Sequence, residues 1–172
     1  MKKIITFCLI TVLAGLLTAC GAGDVQNPAN QSNSEVNTEK ASEEKVVSQD
    51  DYEDNVNGLK KYFEDSGYVS GDPVKMSAQF IGAKEGYRYQ FKYGKSQVTV
   101  ELYEYDLDNL NSTADKVLDS VGSNGYFMMD KTQVNAYMSD NGKYIMIYND
   151  NSKDRENQTR KDEVIENFKT FK

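Results

Sequence analysis

Residues 87–102 read YRYQFKYGKSQVTVEL. Tyr87, Tyr89, Phe91 and Tyr93 alternate with Arg88, Gln90 and Lys92; after a break, Val98, Val100 and Leu102 alternate with Gln97, Thr99 and Glu101. Period-two alternation belongs to strands, whose successive side chains point to opposite faces, and here it gives each of two strands one apolar face. The break is Gly94-Lys95, a two-residue loop with glycine at the first central position, where a type II′ turn needs positive φ. Such a loop fixes the register. Phe91 falls opposite Val98, Tyr89 opposite Val100 and Tyr87 opposite Leu102; on the other face Lys92 meets Gln97, Gln90 meets Thr99 and Arg88 meets Glu101. A slip of one residue would turn every apolar side chain to the wrong face. Turn chemistry, apolar phase and the Arg88–Glu101 charge pair agree on one hairpin.

Upstream, Tyr52, Val56, Leu59 and Phe63 form one stripe of an amphipathic helix, with Asp50 and Glu53 placed as a capping box and Gly67 as the stop. After the turn Gly71-Asp72-Pro73, Val74, Met76, Ala78 and Phe80 alternate with Lys75, Ser77 and Gln79, which predicts a strand with one buried face. Downstream, Tyr103 and Tyr105 leave the strand, and at least one of their rings is expected near the surface. Leu107, Leu110, Ala114, Val117, Leu118 and Val121 predict a second helix, started by Asp106 or Ser112 and ended by Gly122. Three strands follow: Tyr126 to Met129, then Val134, Ala136 and Met138, then Tyr144 to Tyr148, the last two joined through Ser139-Asp140-Asn141-Gly142. Val164, Ile165, Phe168 and Phe171 give a closing helix.

The order helix, three strands, helix, three strands, helix has hairpin connections and no strand-helix-strand alternation. It predicts an α+β domain, an antiparallel sheet of about five to six strands with two or three helices packed on one face. Asp51 to Gly67 corresponds to Asp106 to Gly122 at an offset of 55 residues, aligning Leu59 with Ala114, Tyr62 with Val117 and Phe63 with Leu118. On thin residue identity this suggests two related αβββ halves.

The chain has 172 residues, 38% of them hydrophobic, enough for one domain with a core and too few for two of ordinary size. The predicted folded unit is residues 51–172, which hold all 12 tyrosines and six of the seven phenylalanines. Before it, residues 21–50 contain no aromatic residue and no Leu, Ile or Met, and so cannot bury enough apolar area to offset the entropy of ordering. A disordered tether is expected over residues 20–50. At the start of the chain, Met1-Lys2-Lys3 is followed by 14 residues without charge, Ile4 to Leu17, and then Thr18-Ala19-Cys20. That run is shorter than the roughly 20 residues of a permanent span, and no basic stop-transfer cluster follows it.

Leu17-Thr18-Ala19-Cys20 resembles the lipobox of bacterial lipoproteins. The resemblance covers the first twenty residues. It implies that residues 1–19 are a signal peptide, that the Cys20 thiol carries a diacylglyceryl group, and that Cys20 is the mature N-terminus, tethered to the outer face of the cell membrane. Cys8 would leave with the leader and Cys20 would be consumed as a thioether, so no thiol would remain for redox chemistry. Two or more acyl chains hold a protein stably where one does not.

The composition excludes much else. No histidine is present, which removes Ser-His and Cys-His nucleophile systems and His-ligated zinc. Lys and Arg number 20 against 27 Asp and Glu, a net charge of -7, so no nucleic-acid partner is expected. Asp106-x-Asp108 begins like a calcium loop but has Leu110, Asn111 and Val117 where a third ligand, glycine and a bidentate Glu are needed. Asp150-x-Ser152-x-Asp154 fails in the same way at Arg155 and Lys161, and both acidic groups are read as solvated or helix-capping. No metal, no cofactor and no catalytic set is assigned. Paired carboxylates suffice for glycoside hydrolysis, yet no pair stands out in the sequence. Tyr87, Tyr89 and Tyr93 either pack in the core with their hydroxyls at the rim or line a groove. Lys153, Arg155, Arg160 and Lys161, interleaved with acids, are read as a solvated mixed-charge helix end. The expected protein is a non-catalytic, lipid-anchored binding or accessory module, with an extracellular or cell-envelope protein as its partner. A sugar or peptide receptor with a tyrosine-lined cleft is the alternative.

Overall fold

The computed structural model describes residues 47–172; the predicted leader, Cys20 and the tether up to residue 46 lie outside the described residues. The domain is α+β. Its helices are α1 (Val56–Asp65), α2 (Ser112–Asn124) and α3 (Arg155–Lys169), and its strands β1 (Val74–Lys75), β2 (Glu85–Tyr93), β3 (Ser96–Glu104), β4 (Tyr126–Met129), β5 (Thr132–Asn135), β6 (Tyr137–Met138) and β7 (Tyr144–Asp150). Five strands form an antiparallel sheet in the order β1-β2-β3-β7-β6, while β4 and β5 pair apart from it.

The β2–β3 hairpin has the predicted register at every pair, from Tyr93 opposite Ser96 to Tyr87 opposite Leu102. Gly94 takes φ 57°, as the turn requires. β3 then pairs with β7, placing Val100 against Tyr148, Leu102 against Met146 and Tyr103 against Ile145. Alternate residues of β3 and β7 therefore feed two cores. Leu102, Met146 and Tyr148 join Tyr89, Leu59, Phe63 and Phe168 beneath α1 and α3. Tyr103, Ile145 and Ile147 join Val117, Val121 and Phe127 beneath α2. Two helices thus share one face, and the third covers the other. For that reason Tyr103 and Tyr105 are both buried, against the expectation that one ring would lie near the surface.

Other local differences have physical causes. α1 starts at Val56, capped by Asn55 Oδ1, which accepts the Gly58 N–H at 2.9 Å. Asp50 lies instead in a 3₁₀ turn, Gln49–Asp51, and Glu53 folds back over the first turn of α1, where a Cβ on Gly58 would come within 2.0 Å of the Glu53 carbonyl oxygen. The stop is as predicted: Gly67 has φ 68°, and Tyr68 N–H reaches Phe63 C=O at 2.8 Å while Gly67 N–H reaches Glu64 C=O at 3.0 Å, a Schellman closure. The strand expected over Val74 to Phe80 ends at Lys75 and gives way to a 3₁₀ turn, Ala78–Ile81. Ala78 and Ile81, three apart, are the buried residues there, whereas Val74 is 63% and Phe80 82% exposed.

α2 is capped by Asn111 and closed by Gly125 at φ 74°; Gly122 sits inside it, and Leu107 lies outside it and exposed. Val134, Ala136 and Met138 do not share a strand, because Ala136 separates β5 from β6 and donates its N–H to the Gly125 carbonyl at 2.9 Å. Phe171 follows α3 yet is buried against Tyr62 and Tyr144. The suggested repeat does not hold. Antiparallel neighbours such as β3 and β7 are related by a two-fold axis normal to the sheet, which keeps attached helices on one face, and α1 and α2 lie on opposite faces.

Among the described residues, packing already includes the segment ahead of Asp51. Val47 and Tyr52 lie against the first core. The Gln49 side-chain amide donates to Thr170 Oγ1 at 2.9 Å, to the Asn167 carbonyl at 3.2 Å and to the Tyr62 hydroxyl at 3.4 Å.

Candidate functional site

The tyrosines of β2 pack as core and rim residues. Tyr89 is fully buried, and its hydroxyl donates to Glu64 Oε1 at 2.6 Å; burial first, then that carboxylate, pushes its pKa up. Tyr87 and Tyr93 are half-buried, each with a cation over its ring: Lys60 Nζ at 3.6 Å from the Tyr87 centroid, and the Arg160 guanidinium at 4.5 Å from that of Tyr93. Arg160 and Lys161 are therefore partly buried over tyrosine rings, while Lys153 and Arg155 are exposed as expected. Asp150 is no solvated loop acid. Burial alone would raise its pKa, but hydrogen bonds from Ser96 Oγ, Asn157 Nδ2 and the Ser152 N–H outweigh that and hold it below the ordinary value.

The open surface lies on the second face of the sheet. α2 packs on that face over Tyr103, Tyr105, Ile145 and Ile147. Beside it a groove of about 570 Å³ runs between the 3₁₀ turn and the β4–β5 hairpin. Met76, Phe80 and Ile81 form one wall, and Met129 and Val134 the other. Phe80 stands 82% and Met129 45% exposed, large apolar side chains that a domain of this size ordinarily covers. Chain geometry puts Phe80 there. The 3₁₀ turn ends at Gly82, where a Cβ would meet the Ala114 N–H of α2 at 2.4 Å, and this close approach turns Ile81 inward and Phe80 outward.

The groove floor is a row across three strands, Arg88, Glu101 and Ile147, with Tyr103 above it and Asn149 below. Glu101 is 8% exposed and fully engaged. Its Oε1 accepts from Arg88 Nε at 2.7 Å, with Arg88 Nη2 in ion-pair contact at 2.7 Å, and its Oε2 accepts from the Tyr103 hydroxyl at 2.6 Å. Burial, then that carboxylate, pushes the Tyr103 pKa up, so the hydroxyl stays protonated and donating. With one oxygen engaged by Arg88 and the other by Tyr103, Glu101 is committed to holding the floor together, and the arrangement suits binding.

A second buried carboxylate serves the fold. Glu104, on the edge of the first face, accepts the Val56 N–H at the start of α1 at 2.9 Å and faces Lys84 Nζ at 3.1 Å and Lys143 Nζ at 3.8 Å. Among the described residues no group of three Asp, Glu, Cys or His could hold a metal ion, and no helix is long and apolar enough to cross a membrane. Cys20 lies outside the described residues. Sequence reasoning missed Phe80 and Met129 as surface residues. The one available signal was that the Val74–Phe80 alternation stops at Gly82, too soon for a strand that must also reach β2.

No protein-family model matches the chain, and neither a curated protein nor a solved structure matches it.

Proposed function

We propose that this protein is a lipid-anchored extracytoplasmic lipoprotein whose domain is a non-catalytic binding or accessory module. Leu17-Thr18-Ala19-Cys20 supports the anchor, with Cys20 as the attachment site. The observation that carries the binding role is the groove between Phe80 and Met129, an apolar surface left open among the described residues. Its floor carboxylate is tied up in hydrogen bonds, which favours a binding role over an acid-based hydrolase. A receptor with a tyrosine-lined cleft has less support, because Tyr103 is the one tyrosine of this groove. The partner is a protein of the cell envelope or the extracellular space.

Intact-mass spectrometry and membrane fractionation of the wild-type protein beside a Cys20→Ser variant test the anchor. The expected result is a chain that begins at Cys20 with a diacylglyceryl mass increment, retained in membranes, and a variant released from them. A wild-type chain without lipid, found free in the medium, overturns the proposal.

A further inference from the structure

We infer that the groove takes an extended, uncharged polypeptide segment with apolar side chains, and that Arg88 receives a main-chain carbonyl of that segment. The inference rests on the binding-module proposal above and names the chemistry of its partner.

Charge narrows the occupant first. Both cations that line the groove are neutralised from within the domain, Lys75 by Glu85 at 2.6 Å and Arg88 by Glu101 at 2.7 Å. An acidic or basic ligand would meet charges that are already compensated, and pulling Arg88 away from Glu101 would strand a buried charge. The groove therefore complements a neutral surface. Apolar walls from Met76, Phe80, Met129 and Val134 ask for apolar side chains, and two methionines give them the adaptability of a peptide-binding surface.

Hydrogen bonding then separates the apolar candidates. Arg88 Nε donates to Glu101 with Nη2 in ion-pair contact beside it, and among the described residues its Nη1 has no partner. Asn149, beside it on the floor, is exposed with its amide unbonded among the described residues, and Ser77 adds a hydroxyl at the wall. An acyl chain has no use for these groups, and a helix satisfies its own carbonyls. An extended segment, whose carbonyls need donors as its side chains need apolar contacts, uses both.

The protein's own chain is a poor candidate. Described residues begin at Val47, packed on the first face, whereas the groove opens on the second. Residues 21–46 offer three valines and no Leu, Ile, Met or aromatic residue to fill it. Residues 4–17 are apolar but belong to the leader that the lipoprotein resemblance removes.

The test uses the exported chain carrying Cys20→Ser, which leaves residues 47–172 unaltered and needs no detergent. Amide chemical shifts are followed during titration with a short peptide, capped at both ends, bearing Leu and Met at alternate positions. Control peptides carry Asp or Lys at those positions. The expected result is a saturable shift at Phe80, Met129 and Ile147 with the neutral peptide, weakened about tenfold or more by Phe80→Ser and by the charged peptides. Arg88→Lys, which keeps a cation beside Glu101 but loses the planar fork, should weaken binding while the amide spectrum away from the groove stays that of the folded wild type. Three results overturn the inference: no saturable shift at the groove, equal binding of a charged peptide, or the same shifts on adding phosphatidylglycerol vesicles or on concentrating the protein alone. Membrane retention of the wild type with no peptide binding removes this inference and leaves the anchor standing. Peptide binding with no retention does the reverse.

Discussion

The central sheet has two faces made from the same strands and finished in different ways. Beneath α1 and α3, rings from Tyr62, Phe63, Tyr68, Tyr144, Phe168 and Phe171 interlock edge-to-face or stacked, and the layer is closed. Its perimeter is fastened by carboxylates. Glu104 holds the start of α1, Asp54 takes the Tyr144 hydroxyl at 2.6 Å, Glu64 takes that of Tyr89 at 2.6 Å, and Asp150 takes the Asn157 amide at 2.7 Å. Beneath α2 the apolar layer is smaller, gives out along the sheet, and ends in an open groove with one carboxylate bound into its floor. The first face supplies cohesion. The second leaves apolar surface in contact with solvent, and a closed first face is what allows the domain to tolerate that.

Truncation in each layer should break the comparison most sharply. Phe168→Ala on the first face is expected to cost about 3–5 kcal/mol and Ile147→Ala on the groove floor about 2 kcal/mol, because a site beside open space leaves less of a sealed cavity. Urea denaturation of both variants checks the ordering. Glu104→Ala comes next. It leaves the Val56 N–H without its acceptor beneath α1, an expected loss of about 1–3 kcal/mol in the same assay.

Acid should act on the first face. Asp54 and Asp150 both have folded pKa values below their ordinary 3.8; burial opposes the shift at each, and the bonds from Tyr144 and Lys143, or from Ser96, Asn157 and Ser152, outweigh it. A depressed carboxylate contributes stability that is present above its unfolded pKa and lost as pH falls through the folded value. Asp150→Asn is therefore expected to be less stable than wild type above pH 3.8 and to converge with it below, as read from melting temperature against pH. The smallest effect belongs to the groove rim. Phe80→Ser should change stability by no more than about 0.5 kcal/mol while weakening peptide binding about tenfold or more, which a thermal melt beside the titration would show.

The hairpin was legible because sixteen consecutive residues repeat one message in alternation, turn chemistry and charge. The second face was half-legible. Tyr144 to Tyr148 reads YIMIY, an unbroken apolar run of the kind buried on both sides, which foretells a layer beneath each face. The caps went to Asn55 and Asn111: at α1 Glu53 folds back against Gly58, a local turn that no simple capping pattern announces, and at α2 the approach of Gly82 to Ala114 is tertiary and leaves no local trace. Phe80 and Met129 were hidden for a different reason. An apolar residue in a sequence reads as buried by default, and only the arrangement of neighbours reveals that none of the described residues covers it.

The grip of Gln49 on the far end of α3 also decides how the domain answers a pull. Tension applied to the chain ahead of Val47 is delivered first to the last turn of α3, through Asn167 and Thr170, and to the ring of Tyr62. Those contacts must shear before force reaches the first turn of α1, and the β2–β3–β7 ladder lies further still along the path. A domain hung from this end behaves as a weight on a knotted cord, with the knot yielding before the weight deforms.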